Sequence, residues 1–200
     1  MKSAFNLKFQ NLSIDNKIVA GLDKLATVHR YLIWEQSKKL ALSPIQIQIL
    51  IFIKYHNEKY STVSYLAKEF GVTKPTISDA VKILEQKGLI KKIQDVNDSR
   101  SYSMKLTTNG VEMVLKAEDF AQPLQAFFEK QEMPDKEIVW ELLSKLIFKL
   151  SQIDVVSVER MCFSCKFYSK KEEVHFCNLV KTPLERTDIR MDCPEHVVLK

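Results

Sequence analysis

The sequence predicts a mainly α fold with a small β-wing, followed by a short cysteine-bearing C-terminal segment. Three observations lead there. Apolar residues recur at three- and four-residue spacing through most of the chain before Ser157, the mark of amphipathic helices. Only four glycines and six prolines punctuate 200 residues, few for a loop-rich chain. All four cysteines fall between residues 162 and 193. At 46% hydrophobic and 28% charged, the composition is that of a globular protein able to bury a core.

The N-terminus has no apolar stretch of signal-peptide length, and no apolar run approaches the roughly 18 residues that a membrane helix needs. IQILIFI around Ile49 is too short and belongs in a buried helix. A cytoplasmic protein without a membrane partner is expected, and disulfides are disfavoured there. The net charge of +5 and pI near 8.9 are compatible with nucleic acid without selecting it.

In chain order, Phe5, Leu7, Phe9, Leu12 and Ile14 are spaced as a short strand or as an arm that packs on a partner subunit. Helical spacing begins at Asp15, read as the N-cap, with Ile18, Leu22, Leu25, Val28 and Leu32 on one stripe, and continues to about Leu40. His29 on this helix reads as an ordinary satisfied or solvated histidine. Ser43-Pro44 opens a second helix whose Ile45, Ile49, Phe52 and Ile53 face inward.

Thr62 caps a third helix that buries Val63, Leu66, Ala67 and Phe70. Gly71 ends it with a positive-φ turn, and Thr73 caps the fourth. There Ile77, Val81 and Leu84 point into the core. Lys74, Pro75, Thr76, Ser78, Asp79 and Lys82 are left on the outer face, near the helix start. Gly88 closes this helix. LIKKIQDV and SYSMKLT then pair as strands around the tip Asn97-Asp98-Ser99-Arg100, with Leu89, Ile93, Met104 and Leu106 inward.

Helix, tight turn, helix and hairpin form a winged helix-turn-helix over about residues 43–107. Its fourth helix suits a major groove and its hairpin tip the adjacent backbone or minor groove. Short hydroxyls, an aspartate and lysines at a helix start are side chains that reach base edges and phosphates, and Ser99 and Arg100 extend the reach from the tip. Residues 62–107 carry eight Lys/Arg against five Asp/Glu, so binding would depend on where the charges sit rather than on their sum.

Thr108 or Asn109 begins a fifth helix that Pro123 kinks or breaks. Asp135 is read as the cap of a last helix carrying Ile138, Leu142, Leu146 and Leu150 at intervals of four. That helix is apolar over more of its circumference than one domain needs, which implies packing on a second subunit. The flanking helices, about 15–40 and 108–156, are assigned to dimerisation within a domain of residues 1–157.

LAKEFGVTKPTISDAVKILEQKGLI followed by DVNDSRSYSMKLTTNG resembles the MarR family of winged-helix regulators. The similarity rests on Leu66-Ala67, Gly71-Val72-Thr73, Leu84, Lys87-Gly88-Leu89-Ile90, Asp98-x-Arg100 and Leu106-Thr107-x-x-Gly110, and extends over roughly residues 15–155. It implies a homodimer with entwined terminal helices and two recognition helices on a palindromic duplex operator. It also implies that Asp98 braces the wing, that Arg100 contacts the minor groove, and that Lys74, Thr76 and Ser78 begin the DNA-facing surface. A small-molecule effector between the dimerisation helices and the winged helix follows from the same resemblance, with Tyr31, Trp34, Phe127 and Phe128 as candidate lining.

Residues 158–200 lie outside that pattern and form a four-cysteine, metal-binding segment. Cys162, Cys165, Cys177 and Cys193 have the spacing C-x2-C-x11-C-x15-C. A C-x2-C knuckle and two distant cysteines complete a tetrahedral thiolate site, and metal explains four clustered cysteines better than disulfides do. Zinc is the first reading and would supply folding free energy to the segment. An iron–sulfur cluster or unmetallated, labile thiols that act as a redox or metal sensor are the alternatives, with His175 or His196 as substitute ligands. No phosphate loop, nucleophile elbow or metalloprotease pair is present, so an enzyme is not expected. The alternative of another class is a winged helix used for protein contacts without DNA.

Overall fold

The structure, a computed structural model, describes residues 3–94, 102–153, 155, 160–172 and 174–199. Asn97, Asp98, Ser99 and Arg100, the expected wing tip, lie outside the described residues. The expected strand or arm at the N-terminus is instead a helical turn, α1 (Leu7–Gln10). The Asn6 side chain accepts from the Lys8 N–H, a local cap that competes successfully with extended pairing.

Helix α2 (Ile14–Leu40) is capped by Ser13 rather than Asp15. Ser13 has extended backbone and accepts from the Asp15 N–H, which leaves Asp15 in the first turn, where its charge suits the helix dipole. The helix ends at Ala41 in the left-handed region. Its stripe of Ile18, Leu25 and Val28 is exposed, and only Ile33 is buried.

Helix α3 (Pro44–Tyr55) begins with a capping box between Ser43 and Gln46, with Pro44 in the first turn. It buries more than one stripe: Ile47 and Leu50 join Ile49, Phe52 and Ile53 in the core. This is the central helix of the domain, packed against α2, the later helical segments Lys74–Gln86 and Thr108–Ala117, and the hairpin strand Tyr102–Leu106. After a short 3-10 turn (Glu58–Tyr60) comes α4 (Val63–Glu69), capped by Thr62, with Leu66 and Ala67 buried.

Gly71 adopts φ +62°, and the Val72 N–H reaches back to the Ala67 carbonyl at 3.0 Å, so the chain reverses within three residues. Thr73 then caps α5 (Lys74–Gln86), anchored by the buried Ile77, Ala80, Val81 and Leu84. Gly88 at φ +67° turns the chain into β1 (Ile90–Gln94), which pairs antiparallel with β2 (Tyr102–Leu106). Met104 is fully buried, and its N–H donates to the Ser61 carbonyl at 2.9 Å, so the hairpin is bolted to the entry of α4.

The expected fifth helix is two. Helix α6 (Thr108–Ala117) gives way to a 3-10 turn (Glu118–Ala121) before α7 (Gln122–Glu129). The break precedes Pro123, which sits in the first turn of α7, where its missing N–H has no helical partner to lose. Helix α8 (Met133–Gln152) starts two residues before Asp135, with Pro134 in its first turn and no side-chain cap at Glu132. The tail adds a sheet that sequence spacing did not reveal: β3 (Tyr168–Lys171), β4 (Val174–Cys177) and β5 (Thr182–Leu184), antiparallel in that order. Met161, Cys165 and Ile189 are the buried apolar residues of this segment among those described.

Candidate nucleic-acid interface and the cysteine tail

Helix α5 has two chemically distinct faces. Ile77, Val81 and Leu84 hold it down, while Lys74, Pro75, Thr76, Ser78, Asp79 and Lys82 are all exposed on one end and side. Thr73 fixes the start of this surface. Its hydroxyl accepts from the Thr76 N–H at 3.3 Å and lies 2.8 Å from the Thr76 hydroxyl, so one candidate contact is also part of the cap. Lys74 and Lys82 make no ion pair among the described residues and stand available to phosphate.

The hairpin lysines are less available than their exposure implies. Lys92 lies 2.7 Å from Glu85 and 5.1 Å from the centre of the Tyr102 ring. The hydrogen bond to Glu85 outweighs desolvation and raises the Lys92 pKa. Lys105 pairs with Glu58 at 2.7 Å, and Ser103 donates to the same carboxylate at 2.9 Å. These two lysines brace the hairpin on α5 and on the turn before α4.

The L-T-x-x-G run has a visible physical basis. The Thr107 hydroxyl donates to the Gly88 carbonyl at 2.6 Å and accepts from the Gly110 N–H at 3.0 Å. A Cβ on Gly110 would sit 1.9 Å from the Leu89 carbonyl oxygen, so α6 crosses the base of the wing at a distance that only glycine permits.

In the tail, Cys162, Cys165, Cys177 and Cys193 line one cavity of about 30 Å³, together with Phe167, Tyr168, Leu179 and Leu184. The knuckle is formed: the Cys165 N–H donates to the Cys162 carbonyl at 2.9 Å, and the Arg190 N–H points at the Cys162 sulfur at 3.2 Å. Burial pushes the Cys162 thiol up, the Arg190 N–H opposes this, and the thiols of Cys193, Cys165 and Cys177 push it further up. Among the described residues, no three His, Cys, Asp or Glu side chains already form an ion cage. The four thiols therefore share one cavity without standing in a ligand cage, and the arrangement does not separate a single thiophilic ion from a cluster. His175 and His196 do not line this cavity. The former meets the Tyr168 hydroxyl at 2.5 Å, and the latter meets the Ser164 hydroxyl at 3.0 Å.

One cluster escaped the sequence reading entirely. Arg160, 5% exposed, sits between tail and winged helix. Its guanidinium donates to Glu69 at 2.9 and 3.1 Å, to Asp192 at 2.6 and 3.0 Å, and to the Tyr65 hydroxyl. The rings of Phe52, Tyr60 and Tyr65 surround it at 5.2–5.6 Å. His56 stacks on Phe52 and reaches Asp192 at 2.6 Å. Burial would raise the Asp192 pKa, but hydrogen bonds and charge from His56 and Arg160 hold it far below the carboxylate range. No periodicity or motif marks an arginine whose partners lie more than thirty residues away, so the sequence carried no signal for it.

Of the four aromatic residues expected to line an effector cleft, Phe128 borders a cavity of about 500 Å³ with Met133, Val139, Trp140 and Leu143. Tyr31, Trp34 and Phe127 are exposed and stand outside it. No described helix is long and apolar enough to cross a membrane.

Residues 42–101 match the model of the MarR family. That span runs from the start of α3 to the wing. The chain is also similar to solved structures of MepR from S. aureus. A MepR–DNA complex is 22% identical with a TM-score of 0.58, covering 66% of this chain and 97% of that one. Two MepR mutants, one from a multidrug-resistant clinical isolate, give TM-scores of 0.53 and 0.52 at 22% and 21% identity, again over 66% of this chain and 97% and 96% of theirs. At this identity the likeness is one of fold, that of a winged helix. No curated protein sequence matches the chain.

Proposed function

We propose that the chain is a dimeric, sequence-specific DNA-binding transcriptional regulator rather than an enzyme. The observation that carries this reading is the outward face of α5, with Lys74, Pro75, Thr76, Ser78, Asp79 and Lys82 presented together on a helix whose opposite face is locked into the core. Helix α5 enters the major groove of a palindromic operator. Ser99 and Arg100 reach from the wing, Arg100 into the minor groove, with Asp98 bracing it. A structure of MepR similar in fold was solved as a DNA complex, which supports DNA as the partner.

The exposed apolar stripes of α2 (Ile18, Leu25, Val28) and α8 (Ile138, Leu142, Leu146) support a homodimer, because a lone protomer would leave both in water. The four cysteines hold one structural zinc. What supports this is that all four line a single cavity. When bound, the metal supplies cross-linking of the knuckle to Cys177 and Cys193, and so stabilises a sheet with little core of its own.

A fluorescence-anisotropy titration with duplex from the protein's own upstream region tests the DNA reading. Wild type is expected to bind, and Arg100→Ala to bind at least tenfold more weakly. Unchanged affinity in the variant, or no binding in wild type, argues instead for a protein-contact module.

A further inference from the structure

The chain segments that end in Cys162 and Cys193 are zipped together. The Cys162 N–H donates to the Arg190 carbonyl at 3.0 Å, and the Cys193 N–H to the Arg160 carbonyl at 2.9 Å. Arg160 lies two residues before one cysteine, and Asp192 immediately precedes the other. Whatever ties Cys162 to Cys193 therefore also sets Arg160 and Asp192 side by side. Across the junction Arg160 grips Glu69, the last residue of α4, and only Phe70, Gly71 and Val72 separate Glu69 from the cap of α5. On its other side the tail holds α8: Arg186 pairs with Glu141 at 3.0 Å, and the Phe163 and Phe148 rings lie 5.3 Å apart. The tail thus spans from the expected dimerisation helix to the turn that aims the recognition helix.

We propose that occupancy of the four-cysteine site is transmitted to α5 through Arg160, which pins the tail to the end of α4. This rests on the reading of the cysteines as a metal site. With the thiolates tied, Arg160 and Asp192 arrive as one preassembled pair, and the α4–α5 turn is clamped. With them untied, the two segments separate, Asp192 withdraws, and Arg160 no longer has both carboxylates that balance it in its aromatic pocket. The turn then loosens, and the spacing between α5 and α8 is no longer fixed. Arg160 acts as a positioning residue and touches neither metal nor DNA.

The test uses the full chain, reduced, either stripped by a chelator or loaded with zinc chloride. Two quantities are read: amide hydrogen exchange over residues 65–73, and affinity for a duplex that the loaded protein has enriched from a randomised pool. In wild type, one zinc per chain is expected to slow exchange and tighten binding at least tenfold each. Arg160→Met is expected to retain one zinc while both responses fall below twofold. Glu69→Gln, which preserves side-chain shape, is measured beside it and must also lose most of the exchange response, so that poor folding of Arg160→Met does not decide the matter. Zinc uptake by wild type without change in exchange overturns the clamp and leaves the metal site standing. Failure of wild type to take up zinc overturns the metal reading, and the clamp with it. A full zinc response in both variants removes Arg160 from its role.

Discussion

Gly110 shows how much a single atom decides in this fold. Its Cα faces the Leu89 carbonyl so closely that a methyl group would overlap it, and a backbone oxygen cannot rotate aside. Gly110→Ala therefore forces α6 away from the wing and is expected to cost about 1–3 kcal/mol, with a lower Tm in thermal melts. His56 is the second residue with a distinct prediction. Burial and the Arg160 charge push its pKa down, but hydrogen bonds to Asp192 and the Phe52 carbonyl, together with the Asp192 charge, hold it above its ordinary value. Tyr55, Tyr60 and Glu195 line the same cavity. A raised folded-state pKa means that the stabilisation is full below the unfolded histidine value and is lost as pH climbs through the folded one. The Tm difference between wild type and His56→Gln is accordingly expected to shrink as pH rises above the ordinary histidine value.

At the scale of elements, α5 and the hairpin divide the work of the candidate interface. Lys92 and Lys105 are engaged with Glu85 and Glu58, so their charges serve to hold the wing rather than to neutralise phosphate. Lys82 has no such partner among the described residues. Lys82→Ala is expected to weaken binding almost equally across sequences and to reduce the slope of log affinity against log salt by about 1. Helix and strand positions were largely legible in the chain because local rules governed them. Ser43-Pro44, Thr62, Thr73 and the two positive-φ glycines act within a few residues of themselves. Reading failed where two local signals competed: Ser13 displaced Asp15 as cap, and the 3-10 turn at Glu118–Ala121 ended α6 ahead of Pro123.

For the whole molecule, the exposed stripes on α2 and α8 and the tail docked against α4 and α8 carry the predictions. Leu142 is 63% exposed on a helix that is otherwise apolar along that side. Leu142→Glu, paired with Ile138→Glu, is expected to turn a dimer into a monomer in sedimentation equilibrium while the helical circular dichroism of the protomer persists. A species that stays dimeric would move the interface elsewhere.

The sequence by itself determined the helix order, most of the caps, the wing strands and the four-cysteine pattern. Each of these depends on neighbours at spacings of two, three or four residues or on a compact ligand motif. Only the tertiary structure decided that the tail folds back on the winged helix. That contact joins Glu69, Arg160 and Asp192, residues 91 and 32 positions apart in turn, through one buried guanidinium. Such a pairing leaves no periodic trace, because what selects it is the cost of burying a charge without partners.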